Sequence, residues 1–199
     1  MHIRGFSCIR RRLTGALLAL PGCALLSVDA SSQSAAERGI VGRLAPELDA
    51  QFWLDGAGLR TTFSMLAQRG KWVHLKCWQS WCPGCHEHGF PALKKISDAF
   101  IGEPRVLNVG IQTTFEGHDI NTGDKVREMQ LRYALPIVMG HDPGSRNTDG
   151  YPNTMRAYRT GGTPWHVIIA PNGRVVYDGF SVDADKVIAF FRRQLTQSG

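Results

Sequence analysis

Trp81-Cys82-Pro83-Gly84-Cys85-His86 concentrates more reactive side chains than any other stretch of the chain. Two cysteines separated by two residues can close into a small disulfide ring and reopen it. If Cys82 is a helix N-cap, Pro83, Gly84 and Cys85 are the first three helical positions. Pro83 then gives up no hydrogen bond, because the N–H of that position has no partner at a helix start. The N–H groups of Gly84 and Cys85 point at the Cys82 sulfur as they would at a capping oxygen, and the helix dipole adds to their field. Both effects favour a thiolate, which makes Cys82 the expected nucleophile. Cys85 lies one turn inside the helix. It is the expected resolving thiol, the group that attacks a mixed disulfide and frees the product. Trp81 would shield one side of Cys82. His86 and His88, if protonated, would favour its thiolate.

The same residues permit other chemistry. Cys82-x-x-Cys85-His86 matches the attachment motif of c-type haem. Cys82, Cys85 and a histidine could form a small zinc or copper site, although structural zinc sites usually draw on a second cysteine or histidine pair. A peroxidase of the peroxiredoxin type would carry Thr three residues before its cysteine, where this chain has Gln79. Glu116, His118 and His141 have no spacing that suits a ligand set and read as loop polarity. No metal or other cofactor is expected.

These residues need a strand to deliver them and a helix to receive them. Trp72–Trp78 is an apolar run suited to a buried strand, and the helix opened by Pro83 is expected to reach Phe100. A strand over Arg105–Gln112 follows, then a polar loop to Gly123, a helix capped by Asp124 through Tyr133, and a short strand at Ile137–Met139. His141–Pro152 reads as loop and Asn153–Tyr158 as one helical turn. Beyond Gly162-Thr163-Pro164 come strands at Trp165–Ala170 and Val175–Tyr177 around the turn Pro171–Arg174. Asp183 then caps a last helix whose apolar side carries Val187, Ile188, Phe190 and Phe191. Upstream, Gln51–Leu54 and Leu59–Thr62 flank Asp55-Gly56-Ala57-Gly58 as a hairpin. Ser64 caps a short helix through Gln68. The resulting order, β-α-β-α-β-β-α after a hairpin, is that of an α/β domain.

The N-terminus reads differently. Arg4, Arg10, Arg11 and Arg12 precede a short apolar stretch, Leu13–Leu26, and a small-residue cleavage site at Val28-Asp29-Ala30. That is the pattern of an export signal over 1–30, with a flexible leader over 31–43 and one domain over 44–199. Leu20-Pro21-Gly22-Cys23 loosely matches a lipidation site, so the N-terminal segment itself and a lipidated Cys23 are two candidate membrane anchors. The formal charge of +6 owes much to the signal's arginines, and no basic run remains to suggest a nucleic-acid partner. After cleavage Cys77, Cys82 and Cys85 remain. Cys77, in the strand, is expected to be a small buried core residue.

Trp81-Cys82-Pro83-Gly84-Cys85 together with Thr163-Pro164 resembles the thioredoxin superfamily, in particular its TlpA-like/ResA-like branch, over roughly residues 44–195. The resemblance implies a thioredoxin fold: a central mixed sheet flanked by helices, with an N-terminal hairpin and an inserted βα unit. It implies a cis Thr163–Pro164 bond facing the cysteines, with the Thr163 backbone left to pair with an extended substrate. It also implies an exported, periplasmic or envelope thiol–disulfide oxidoreductase that exchanges thiols with protein substrates. Reduction of protein disulfides is favoured over oxidation, with electrons from a membrane thiol donor and the enzyme acting as a monomer. The chain departs from the family at Lys76, where many thioredoxins carry a buried acid for proton transfer. The stretch before Pro91 is also one residue longer than the family's, leaving Glu87 or His88 as candidate replacements for that acid.

Overall fold

The computed structural model describes residues 38–144 and 150–197. The expected signal over 1–30, Cys23 and residues 31–37 of the expected leader lie outside the described residues. Seven strands form one mixed sheet in the order β2-β1-β5-β4-β3-β6-β7. β1 (Phe52–Leu54) and β2 (Arg60–Thr61) are the expected hairpin, with Asp55 accepting the N–H groups of Ala57 and Leu59. β3 (Trp72–Trp78) lies inside the sheet and is buried at every position. It runs parallel to β4 (Val106–Thr113) and antiparallel to β6 (Trp165–Ile169). β5 (Val138–Asp142) lies parallel to β4, and β7 (Val175–Gly179) closes the far edge.

β5 is longer than its sequence suggested. His141 and Asp142, expected in a loop, pair with Gln112 and Thr113 of β4. Their polarity disguised the strand, yet both are satisfied inside the protein. His141 Nδ1 lies 2.9 Å from Gln112 Oε1, and Asp142 accepts the N–H groups of Gly144 and Thr154. The expected leader is also partly structured. Ile40 is buried, Gly39 N–H donates to Arg159 O, and Leu44 bridges to Arg174, so the packed domain begins before residue 44.

Alternation along β3 sorts its side chains between two layers. Val73, Leu75 and Cys77 face a cluster with Ile111, Trp165, Val167 and Tyr158 of α3 (Asn153–Tyr158). Trp72 and Trp78 face the helices on the other side. There α1 (Phe90–Ala99) buries Phe90, Leu93 and Ile96, spaced at helical intervals. Leu93 meets Val126 and Met129 of α2 (Lys125–Arg132), and Ile96 meets Phe191 of α4 (Ala184–Gln197). Each such apolar side chain removed from water contributes about 1.5–3 kcal/mol. Asp183 caps α4 through the Lys186 N–H, as its position predicts.

The helix after the cysteines is interrupted. Residues 83 and 84 are helical, Cys85–Gly89 forms one π-turn, and α1 continues from Phe90. The Phe90 N–H donates to Cys85 O, five residues back. Pro91 supplies a reason: in an α-helix its ring would press on the carbonyl four residues earlier, and a widened turn relieves that contact. The one additional residue before Pro91 is thus absorbed as a π-turn, a feature frequent at functional sites.

Candidate active site

β3 ends at Trp78, and Gln79-Ser80-Trp81 carries the chain to the start of the helix. Cys82 sits at that start. The Cys85 N–H donates to Cys82 Sγ at 3.2 Å, as capping geometry predicts, and Cys82 Sγ–H donates to Thr163 O at 3.4 Å. Cys82 keeps 5% of its surface exposed, whereas Cys85 and Cys77 keep none. Both members of the pair are free thiols.

The two sulfurs are driven apart in acidity. The Cys82 thiol is pulled down to about 6, first by its hydrogen bond from Cys85, then by the Thr163 side chain, the Cys85 N–H and the Lys76 charge, against a desolvation cost. Burial pushes the Cys85 thiol far above the ordinary range, and its hydrogen bond to Cys82 adds to that. Burial likewise raises Cys77 to about 12. Cys77 lies on the opposite face of the sheet, as strand alternation requires, and packs in the core.

Thr163 and Pro164 approach from the loop before β6, and the bond between them is cis. The Pro164 ring lies across the helix start. A Cβ on Gly84 would come 3.3 Å from Pro164 Cδ, and one on Gly89 would come 3.2 Å from Pro164 Cβ. Glycine at both positions permits this close approach. Trp81 is 43% exposed beside the cysteines, its indole against Gly117.

Glu87 and His88 are not brought to the sulfurs. Both are exposed, their nearest charged atoms 3.8 Å apart, on the solvent side of the π-turn. Lys76 instead lies beneath the pair, fully buried, with its ammonium 4.9 Å from the Phe90 ring centroid.

Sequence reasoning named His86 for its charge but not for its structural role, and missed Asn121 altogether. His86 is not a free surface side chain: its Nε2–H donates to Ser80 O at 2.6 Å, and Nδ1 lies 2.6 Å from the Tyr133 hydroxyl. It thereby ties the loop before Cys82 to the end of α2. Both ring nitrogens are engaged and Cys85 is inaccessible, an arrangement poorly suited to covalent haem. Asn121 Oδ1 accepts the Ser80 N–H at 2.7 Å and hydroxyl at 2.8 Å, while its Nδ2 donates to Glu116 O and Gly117 O. One buried amide so fixes both loops around Trp81. The -Cys-His- spacing pointed to His86, but nothing local marks Asn121. Glu116, His118 and His141 do not converge, and among the described residues no three His, Cys, Asp or Glu side chains gather as a metal site.

No protein-family profile matches the chain, and no curated protein sequence does. Solved structures do. A crystallised thioredoxin-like superfamily protein is 31% identical, with a TM-score of 0.66 over 76% of this chain and 95% of its own. A thiol-disulfide isomerase from Corynebacterium glutamicum is also 31% identical, with a TM-score of 0.63 over 74% of this chain and 93% of its own. The thioredoxin domain of a thiol-disulfide oxidoreductase from Bacteroides vulgatus shares the fold at 19% identity, with a TM-score of 0.55 over 75% of this chain and 96% of its own. Identity of 31% across nearly the whole of two such proteins, on a sheet that sets a Cys-x-x-Cys helix start against a cis-proline loop, means that this chain belongs to the thioredoxin-like superfamily of thiol–disulfide oxidoreductases.

Proposed function

We propose that this protein is an exported reductase of protein disulfides in which Cys82 attacks and Cys85 resolves. The observation that carries the assignment is geometric: Cys82 Sγ sits at the helix start, accepts the Cys85 N–H at 3.2 Å and keeps 5% of its surface exposed, whereas Cys85 keeps none. The Cys82 thiolate attacks one sulfur of a substrate disulfide and expels the other as a thiolate. Cys85 then loses its proton and attacks Cys82 Sγ, releasing the second substrate thiolate. Two electrons have passed to the substrate, and Cys82–Cys85 is a disulfide. A membrane thiol donor returns the pair to the dithiol, with the enzyme acting as a monomer. Export is supported by the basic and apolar order of residues 1–30; lipidated Cys23 or an uncleaved N-terminal segment would provide an anchor. No helix among the described residues is long and apolar enough to cross a membrane.

The reducing direction is supported by how modestly Cys82 is stabilised. A pair that oxidises strongly owes its potential to a very stable thiolate, as in DsbA with a thiol near about 3.5; thioredoxin's lies near about 7. A Cys82 value of about 6 stands nearer the reductant. Equilibration with glutathione buffers, read by mass mapping, tests this. A Cys82–Cys85 disulfide with a potential near about −270 mV is expected, and one near about −120 mV would make the protein an oxidant.

A further inference from the structure

Lys76 is the one cation set into the helix-facing side of β3, and its surroundings give it nothing to pair with. The side chain has no exposed surface, and Nζ has no hydrogen-bond partner. It rests over the Phe90 ring and against Gly89, where a Cβ would come within 2.1 Å of Nζ. Gly89 closes the π-turn, so the widened turn and the missing side chain together make the space that the ammonium fills. An isolated buried ammonium is too costly to persist. Some opposite charge must accompany it, or it must give up its proton.

The titratable groups that face it can be named. Across the antiparallel pairing stands His166, and two residues back along β3 is His74. Cys77 follows on the same strand, pointing to the other layer, and Cys85 and Cys82 lie above. Gly110 is its partner on β4. Among the described residues no carboxylate is paired with it. The histidines bring no negative charge. His74 Nδ1 lies 3.1 Å from Asn108 Oδ1, and His74 Nε2 lies 3.0 Å from His166 Nδ1. Taking Asn108 Oδ1 as acceptor, His74 donates from Nδ1 and accepts at Nε2 from His166, which makes the His74 ring neutral. Burial also holds both below their ordinary range. Among the described residues that face it, the Cys82 thiolate is the group that can offset an ammonium: burial pulls the Lys76 amine down, and the charge of the cysteine pair works against that.

We propose that Lys76 is a redox-linked base: its amine holds a proton while Cys82 is a thiolate and releases it when Cys82 and Cys85 become a disulfide. This rests on Cys82–Cys85 being the redox pair. The steps balance. The dithiol state holds a Cys82 thiolate, a Cys85 thiol and a Lys76 ammonium. Attack on a substrate disulfide consumes the thiolate, which strands the ammonium, and its proton passes to the expelled substrate thiolate. The neutral amine is then the base available when Cys85–SH must ionise to attack Cys82. The proton it takes leaves again with the second substrate thiolate. One substrate disulfide has become two thiols. The two protons come from Lys76 and Cys85, and the two electrons come from the cysteine pair.

A lysine that merely fills space leaves the proton count of the couple unchanged, so that count is the test. The Cys82–Cys85 equilibrium with glutathione is measured over the pH unit above the Cys82 midpoint, the midpoint being read from thiolate absorbance for each protein. Glutathione takes up two protons per disulfide reduced, so wild-type protein, releasing two per disulfide formed, is expected to show an exchange constant that does not change with pH; its own potential then shifts by about 59 mV per pH unit, a hundredfold at the two-electron constant. Lys76→Met is expected to release one, so its exchange constant should fall tenfold per pH unit. A tenfold fall per pH unit in the wild type, or an unchanging constant in Lys76→Met, overturns the proposal. If Lys76→Met does not fold, the carbon-13 shift of Lys76 Cε in the wild type decides. It should move from the ammonium to the amine value on oxidation at constant pH, and an unmoved signal refutes the idea. Absence of any Cys82–Cys85 disulfide would instead remove the assignment of the redox pair itself.

Discussion

Three thiols share one small domain, and their surroundings give them three different chemistries. Cys82 receives an N–H at the helix start, Cys85 is sealed one turn further in, and Cys77 is buried on the other side of the sheet. Alkylation by iodoacetamide should therefore modify Cys82 first, with a rate that rises through a midpoint near the value of about 6 to which its thiol is drawn. Below that pH the thiolate is lost and the rate falls. Cys77, pushed up to about 12, should react only on unfolding. A Cys82 midpoint near the free-thiol value of about 8.5 would show that the helix start does not stabilise it. At this scale the sequence was readable wherever the cause was local. The proline at the first helical position and the cysteine spacing identify a capped sulfur, and strand alternation places Cys77. His86 was not legible in the same way, because its partners Ser80 and Tyr133 meet it only in the fold.

The helix that carries the pair shows what spacing can and cannot say. An additional residue before Pro91 was visible in the chain; that it becomes a π-turn, turns Glu87 and His88 to solvent and sets Gly89 over Lys76 was not. Those outcomes depend on Lys76 and Pro164, from different elements, packing against the same turn. Gly89→Ala tests the arrangement. Alanine in place of glycine favours a helix by up to about 1 kcal/mol. Here the new methyl would lie 2.1 Å from Lys76 Nζ and 3.2 Å from Pro164 Cβ, and crowding of a packed interior costs about 1–3 kcal/mol. Crowding should win. Urea unfolding is expected at a lower midpoint than wild type, and an unchanged or higher midpoint would mean that the turn has room to spare. β5 teaches the same lesson in reverse: polar His141 and Asp142 read as loop because their partners Gln112 and Thr154 are distant in sequence.

At the scale of the described domain, β3 ends at Trp78, shortly before Cys82, and its neighbour β6 starts at Trp165, directly after Pro164, in one seven-stranded sheet. The order of elements could be read in advance, since each strand and helix carries its own hydrophobic period and turn residues; the Cys82 helix start and the cis Thr163–Pro164 bond were also expected. What crosses the sheet could not be read. His74, Asn108 and His166 join three strands through side chains, and Asn121 holds two loops that lie some forty positions apart in the chain, near Ser80 and near itself. Such links form only when register is set. The central claim is that this scaffold makes Cys82 the attacking sulfur and Cys85 the resolving one. Incubating Cys85→Ser and Cys82→Ser separately with a disulfide-containing protein substrate tests it most directly, with products resolved by non-reducing electrophoresis and mass mapping. Cys85→Ser should accumulate a mixed disulfide through Cys82, released by added dithiol, while Cys82→Ser should form none. A mixed disulfide accumulating through Cys85 in Cys82→Ser, with none in Cys85→Ser, would contradict the account.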